Sequence, residues 1–263
     1  MNTASKQSGV LINGQLYDFG ALHLLPAQVR NGLALQLLKP PPVRHAEASM
    51  IFRLDDEPWR PSPRLYSLAA SIAAQAPATT HALLDGRNGG GQRWWEVFPG
   101  EHYHLLSTLC RLLAPKSVWE FGTDTGMGTI AMLEGLGADA RISTVDIDAW
   151  SSKPGSWLTR VDFDPGRVTQ IVASMSSRAF FKRHAESLEE AELVFVDGPK
   201  DGSTEIRFLE LMDKIAFKRA PIVLFDDIRT ANMLAIWRQI KRPKMDITSN
   251  GHWSGSGLVD WSG

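Results

Sequence analysis

A single cysteine, Cys110, occurs in 263 residues, so no internal disulfide can form and the chain suits a reducing compartment. No apolar stretch approaches the roughly 20 residues that a membrane span needs. The opening segment, MNTASKQSGV, has no basic stretch followed by an apolar run, so a signal peptide is not expected and the cytoplasm is the expected location. Charge of either sign is not in excess: 28 Lys and Arg stand against 29 Asp and Glu, a formal net charge of -1. That balance disfavours nucleic acid or an anionic membrane as the main partner and leaves a small molecule as the default. The chain also has no internal repeat, no low-complexity tract and no G-x-G-x-x-G, the spacing that seats a dinucleotide pyrophosphate.

What is present is a sequence of two characters. Residues 1–93 read as a mainly helical or irregular extension. LPAQVRNGLALQLLK is a helix candidate stopped by Pro40, Pro41 and Pro42, and SLAASIAAQA is a second helix. Gly89, Gly90 and Gly91 close the region as a hinge. Its alternatives are an element packed on the core, a lid or substrate-shaping segment, or an oligomerisation surface. From residue 94 to 263 the pattern is regular. HYHLLSTLCRLLA reads as a helix, with Cys110 among leucines as a core residue, and KSVWEFG as a buried strand. GMGTIAMLEGLG is a helix, RISTVDID and VTQIVAS are strands, and SSRAFFKRHAESLEE is a helix. ELVFVD, TEIRFLELMDKIAF, PIVLFDD and ANMLAIWRQIK continue the alternation, which predicts an α/β fold with a mostly parallel sheet covered on both faces. MDITS and GLVDW flank a loop rather than a helix, so an antiparallel hairpin is expected to finish the sheet.

The first strand of this region runs into EFGTDTGMGT, with Glu120, Gly122, Gly126 and Gly128 in order. Ligands bind at the carboxyl ends of parallel strands, and glycines there admit close backbone approach. Thr123, Asp124 and Thr125 separate the first two glycines, so a pyrophosphate would meet the repelling charges of Glu120 and Asp124, whereas a cationic or zwitterionic ligand suits them. Asp146 ends the next strand, at the distance expected of an acid that takes a ribose diol, and Asp148 is a weaker candidate for that task. E-x-G-x-x-x-G, Asp146 and the closing hairpin together resemble the class I S-adenosylmethionine-dependent methyltransferases over residues 96–263. The resemblance implies a Rossmann-like sheet of seven strands. It also implies that Glu120, Gly122, Thr123 and Gly126 lie under the methionine part of S-adenosylmethionine, that Asp146 holds its ribose, and that Ser174 and Met175 border its adenine. Phe98 to Glu101 would cover the methionyl end.

Two further apolar runs end in acids: LVFVDGPKDG carries Asp197 and Lys200, and IVLFDDIR carries Asp226 and Asp227. Helix N-capping accounts for one such acid. Three at neighbouring strand tips repel unless a cation or proton intervenes, and an all-oxygen set points to magnesium, manganese or calcium rather than zinc. Here the resemblance narrows to the metal-dependent O-methyltransferases of the catechol O-methyltransferase type, and within them to a bacterial branch acting on sugars and other secondary metabolites. It implies that Asp197, Asp226 and Asp227 are metal ligands, with Asp227 replacing the family's Asn. Asp197 also borders the cofactor, and Lys200 is the general base. Gly198 and Pro199 depart from the family's His and Trp, and His252 is an alternative base. Trp94 and Trp95 are candidates to stack on substrate or to bury area.

The expected function is methyl transfer to a hydroxyl of a small sugar, polyol or phenol, assisted by a divalent metal. The alternatives are a metal-independent N-methyltransferase whose acids are caps, and a non-catalytic cofactor-binding protein of the same fold. A nicotinamide oxidoreductase is disfavoured by the glycine spacing, and whether the chain forms a homo-oligomer is open.

Overall fold

The computed structural model describes residues 9–12, 15–18, 59–96, 102–164, 166–251 and 254–262, with 9–12, 15–18 and Trp94 as backbone alone. The helix expected over 25–39, the segment 98–101, His252 and Trp253 lie outside the described residues. Two compact units are present, Met1–His45 and Ala46–Gly263. The first contains a hairpin, β1 (Gly9–Ile12) paired antiparallel with β2 (Gln15–Asp18), which corrects the expectation of a mainly helical or irregular stretch there; Asn13-Gly14 between the two runs is its signal in the sequence.

The second unit holds the expected sheet. Its strands are β3 (Ser117–Phe121), β4 (Arg141–Asp146), β5 (Val168–Val172), β6 (Leu193–Val196), β7 (Ile222–Asp226), β8 (Lys244–Asp246) and β9 (Ser256–Asp260). Their order is β5-β4-β3-β6-β7-β9-β8, parallel from β5 to β7, with β9 antiparallel to both β7 and β8. This is the Rossmann-like α/β arrangement with a closing antiparallel pair. The chain order reverses between β3 and β6, and a ligand crevice forms at such a switch point.

The apolar strand runs feed two cores, because successive side chains on a strand point to opposite faces. Val118, Leu193, Phe195, Ile222, Leu224 and Leu258 face one layer, and Trp119, Val194, Val196, Val223, Phe225 and Val259 face the other. The first layer comprises α1 (Pro63–Gln75), α2 (Ala82–Arg87), α3 (His102–Leu113) and α4 (Met127–Gly135). After the short α5 (Arg160–Phe163), the second layer comprises α6 (Arg178–Glu189), α7 (Ser203–Met212) and α8 (Met233–Gln239). Cys110 is wholly buried on α3, and burial pushes its thiol up, which fits its place in the core.

Packing runs across residue 94. Leu65, Ala69 and Ile72 of α1 and Leu84 of α2 are fully buried in the same cluster as Leu105, Leu109 and Leu193. Ser62 caps α1 by accepting from the Leu65 N–H, and its hydroxyl donates to Asp260 at the end of β9 at 2.7 Å. Trp95 is also fully buried, its ring edge-on to Trp157 at 5.7 Å, so it buries area. Among the described residues no helix is long and apolar enough to cross a membrane.

Candidate functional site

The carboxyl ends of β3, β4 and β6 open on a cleft of about 530 Å³ that includes Gly122, Asp146, Ser174, Met175, Asp197 and Lys200. A smaller recess adjoins it, bounded by Tyr103, Glu120, Gly122, Thr123 and Asp197 among others. Asp226 and Asp227 stand at the neighbouring tip of β7.

Gly122 is demanded by the protein itself. Its φ is +110°, and a Cβ there would lie 2.0 Å from the Asp197 carbonyl oxygen, so β3 and β6 can close on each other only with glycine at this point. Strand pairing runs right up to it, since the Asp197 N–H donates to the Phe121 carbonyl at 2.8 Å.

Glu120, the last but one residue of β3, is the most confined acid of the recess at 1% exposure. Its Oε2 accepts from the Thr129 hydroxyl, and its buried Oε1 has no hydrogen-bond partner. Desolvation pushes its carboxyl up to about 8, against the pull of Thr129 and Thr144. Glu120 bounds the recess beside Gly128, and a buried carboxyl oxygen without a partner is a receptor for a donor, best of all a cationic one. Thr123 bounds the same recess, but its hydroxyl is engaged by Thr144 at 2.6 Å, which leaves it a backbone role. Tyr103 faces this end too. Burial and then Asp197 and Asp226 raise its phenol, so it is a neutral hydrogen-bond donor.

On the other side of Gly122, Asp146 closes β4. Its Oδ2 accepts from the Asp124 N–H at 2.8 Å and its Oδ1 from the Asp148 N–H at 3.0 Å, which fixes the carboxylate at the edge of the cleft that it lines. Asp124 and Asp148 share Lys153, whose Nζ lies 3.5 Å and 3.1 Å from them. Ile147, 69% exposed, presents a bare apolar surface to the cleft, as a flat ring system would require. Ser174 is ordered by Ser176, and the Met175 sulfur would lie 2.6 Å from a Cβ on Gly198. Glycine at 198 thus admits Met175 as the wall that a larger residue would displace.

The three acids at the tips of β6 and β7 do converge, each offering an oxygen within 4.8 Å of the others. Asp226 is 4% exposed, and burial followed by Asp226 raises the Asp197 carboxyl to about 6 despite the opposing pull of Lys200. Lys200 reaches back to this cluster: its Nζ donates to Asp197 and lies 2.7 Å from Asp227. Burial works against its charge, yet Asp197 and Asp227 outweigh that cost and hold its ammonium above the ordinary lysine range. Both Lys200 (φ 61°) and Asp227 (φ 57°) have left-handed backbone, a strained conformation for such residues that clusters at functional sites.

Helix capping is done by another residue. Asp201 accepts from the N–H groups of Ser203 and Thr204 at 2.7 and 2.8 Å and from both hydroxyls, and these bonds lower its carboxyl to about 2. Asp197 is therefore not the cap of α7. The loop that carries Lys200 is held from below by Glu205, fully buried, which accepts from the Lys200 N–H at 2.7 Å and the Gly202 N–H at 2.8 Å. Glu205 reads in sequence as one more helix acid, and its spacing of five from Lys200 is the only hint of this role.

No protein-family model matches the chain, and no curated protein matches it. Solved structures with a similar fold include an O-methyltransferase from Bacillus cereus in complex with SAH, at 15% identity and a TM-score of 0.49 over 73% of this chain and 100% of that one. Another is the O-methyltransferase TomG from Streptomyces achromogenes, involved in tomaymycin synthesis and solved with SAM, at 16% identity and a TM-score of 0.48 over 80% and 100%. A methyltransferase from Geobacter sulfurreducens aligns over 91% of this chain and 99% of its own, at 15% identity and a TM-score of 0.48. At this distance the similarity assigns no activity, and the fold stands on the strand order above.

Proposed function

We propose that this protein is an S-adenosylmethionine-dependent methyltransferase that acts on a hydroxyl of a small molecule. The observation that carries the reading is the orphaned, buried Glu120 oxygen at one end of a cleft whose other end is Asp146. A methyl donor of this kind has an ammonium and a sulfonium at one end and a ribose diol with a flat purine at the other. Glu120 suits the ammonium, Gly122 and Gly126 the bend between, Asp146 the diol, and Ile147, Ser174 and Met175 the purine. The cleft is rich in acid throughout, which favours a cationic donor over its neutral product.

The donor set Asp197, Asp226 and Asp227 is all-oxygen, close-spaced and anionic, and it fits a hard divalent cation such as Mg2+. When bound, such an ion would lower the pKa of an acceptor hydroxyl and fix its direction. Methyl transfer is an in-line displacement at the sulfonium carbon, so the protein's task is to align the acceptor oxygen and take its proton. Lys200 is ion-paired in the present arrangement and so holds its proton. With a cation held by Asp197 and Asp227 in its place, Lys200 would be freed of those partners and suited to accept the acceptor's proton.

A second reading is favoured by those same ion pairs. Lys200 already neutralises Asp197 and Asp227, as a resident cation does, and methyl transfer then proceeds without metal. Calorimetric titration with S-adenosylhomocysteine, with magnesium and with chelator, tests both levels. Binding in the micromolar range is expected, and no binding in either buffer overturns the methyltransferase reading. Turnover on a panel of sugars, polyols and phenols that persists undiminished in chelator favours the metal-free form.

A further inference from the structure

The loop 122–126 is held from behind by a part of the chain that carries no motif. Residues 147–164, between β4 and β5, contain only short helical turns and pack on the loop. The Trp157 N–H donates to the Thr125 carbonyl at 2.8 Å, and the Ser156 hydroxyl to the same oxygen at 3.4 Å. Leu158 fills the space beside Gly126, where a Cβ would come within 2.3 Å of its Cγ. A segment whose longest helix is the four-residue α5 needs another anchor.

Arg87, the last residue of α2, supplies it. Its Nη1 donates to the Trp157 carbonyl at 2.8 Å and to Asp162 Oδ2 at 2.8 Å, and its Nη2 to Asp162 Oδ1 at 2.6 Å. Asp162 also accepts from the Thr159 N–H at 2.7 Å, so one carboxylate pins both ends of the turn. The pair is 19% and 5% exposed, and a bidentate fork at this depth sets geometry in a way that an exposed pair does not. Trp157 thus faces two ways, its N–H to the loop and its carbonyl to Arg87. Arg87 is not among the residues that line the cleft.

We propose that Arg87 is a positioning residue for the methyl-donor site, acting through Trp157 and Asp162 to fix the Thr125–Gly126 turn. The inference rests on the donor-site reading above, and its consequence is that α2, from the stretch before residue 94, contributes to cofactor affinity without touching the cofactor. Methionine keeps the bulk of the arginine stem and removes the fork; lysine keeps the charge and loses the two-point geometry.

The test is a pair of measurements on the full chain as wild type, Arg87→Met, Arg87→Lys and Arg242→Met. The last breaks a single-contact, more exposed ion pair, to Asp213, with no link to the loop, and controls for the loss of an arginine charge. Calorimetry with S-adenosylhomocysteine should give a Kd raised about tenfold in Arg87→Met, which corresponds to roughly 1.4 kcal/mol, less in Arg87→Lys, and unchanged in Arg242→Met. Amide hydrogen exchange without ligand should quicken selectively at Trp157 and at Gly126, whose N–H donates to the Thr123 carbonyl, while α3 and β6 keep their protection. Exchange that rises uniformly, or not at all, overturns the proposal, as does an unchanged Kd in Arg87→Met. If the wild type fails to bind S-adenosylhomocysteine, the donor reading falls, and the exchange comparison still decides whether Arg87 holds the loop.

Discussion

Glu120 is a carboxyl in a place that favours its neutral form, and this makes it the residue whose function and stability effects oppose each other. Its pKa is raised in the fold to about 8, so the folded state holds a proton that the unfolded state releases. The contribution of this group to stability is therefore greatest below the ordinary carboxylate range and is lost as pH rises from there through about 8. Glu120→Gln removes that loss and retains an acceptor for Thr129. It is expected to be more stable than wild type at pH 9 by a few kcal/mol, since each pH unit across which the proton is held back costs about 1.4 kcal/mol. It is also expected to bind S-adenosylhomocysteine at least tenfold more weakly, because an amide offers the ligand ammonium no charge. Urea titrations at pH 6 and pH 9 with calorimetry at pH 7.5 check both, and equal stability at the two pH values in wild type would contradict the first. Lys200→Met is expected to lower turnover by two orders of magnitude or more, a typical span for a proton-transfer group, while donor affinity stays within a few-fold. Steady-state kinetics beside calorimetry separate the two. At this scale the sequence is legible where a residue type is out of place. Acids ending apolar runs stand out, so Asp197, Asp226 and Asp227 could be found. Glu205 and Arg87 are ordinary helix charges in sequence, and their roles appear only when a loop folds back on them.

Among the elements, what could be read is what repeats with a period. The strands from Ser117 to Asp226 are runs of apolar residues of strand length between helices with apolar spacing, and each was expected where it stands. The hairpin β1–β2 was not expected, although Asn13-Gly14 between GVLI and QLYD is a two-residue hairpin signal; the pair lies outside the strand–helix alternation from which the sheet was read. Nor was the organisation of residues 147–164, whose order comes from hydrogen bonds and the Arg87 fork rather than from any pattern of burial along the chain. Gly122 links the two cases. In sequence it reads as room for a ligand; in the fold it is room for the Asp197 carbonyl. Gly122→Ala is accordingly expected to damage the sheet as well as the site. A Cβ 2.0 Å from a backbone oxygen, at a φ that side chains avoid, must push β3 from β6. The cost should be about 3 kcal/mol, a fall in Tm of several degrees for a unit of this size. Differential scanning calorimetry checks it; a wild-type Tm with lost binding would mean that the glycine serves the ligand alone.

For the molecule as a whole, the question is where the folding unit begins. Composition suggests a break near the glycines at 89–91, and packing disagrees. Leu65, Ala69, Ile72 and Leu84 have no exposed surface, and they share one cluster with the leucines of α3 and with Leu193, Ile222 and Leu258 of the sheet. Burying three such large side chains contributes roughly 5–9 kcal/mol, at about 1.5–3 each. Domain stabilities are themselves only about 5–15 kcal/mol, so this layer is comparable to the whole margin. The start of α1 and the end of β9 are tied here as well, through Ser62 and Arg64 to Asp260 and through Arg64 to the Ala220 carbonyl. A chain starting at residue 94 would expose the faces of α3 and α4 that α1 and α2 cover, and lose the Arg87 anchor of the donor loop. It is expected to be recovered aggregated or without a cooperative urea transition. A chain starting at Ala46 keeps every one of those contacts, and it is expected to unfold in one cooperative urea transition. Cooperative unfolding of the 94–263 fragment with intact S-adenosylhomocysteine binding would mean that the layer is an accessory, and that the apparent boundary in composition is the physical one.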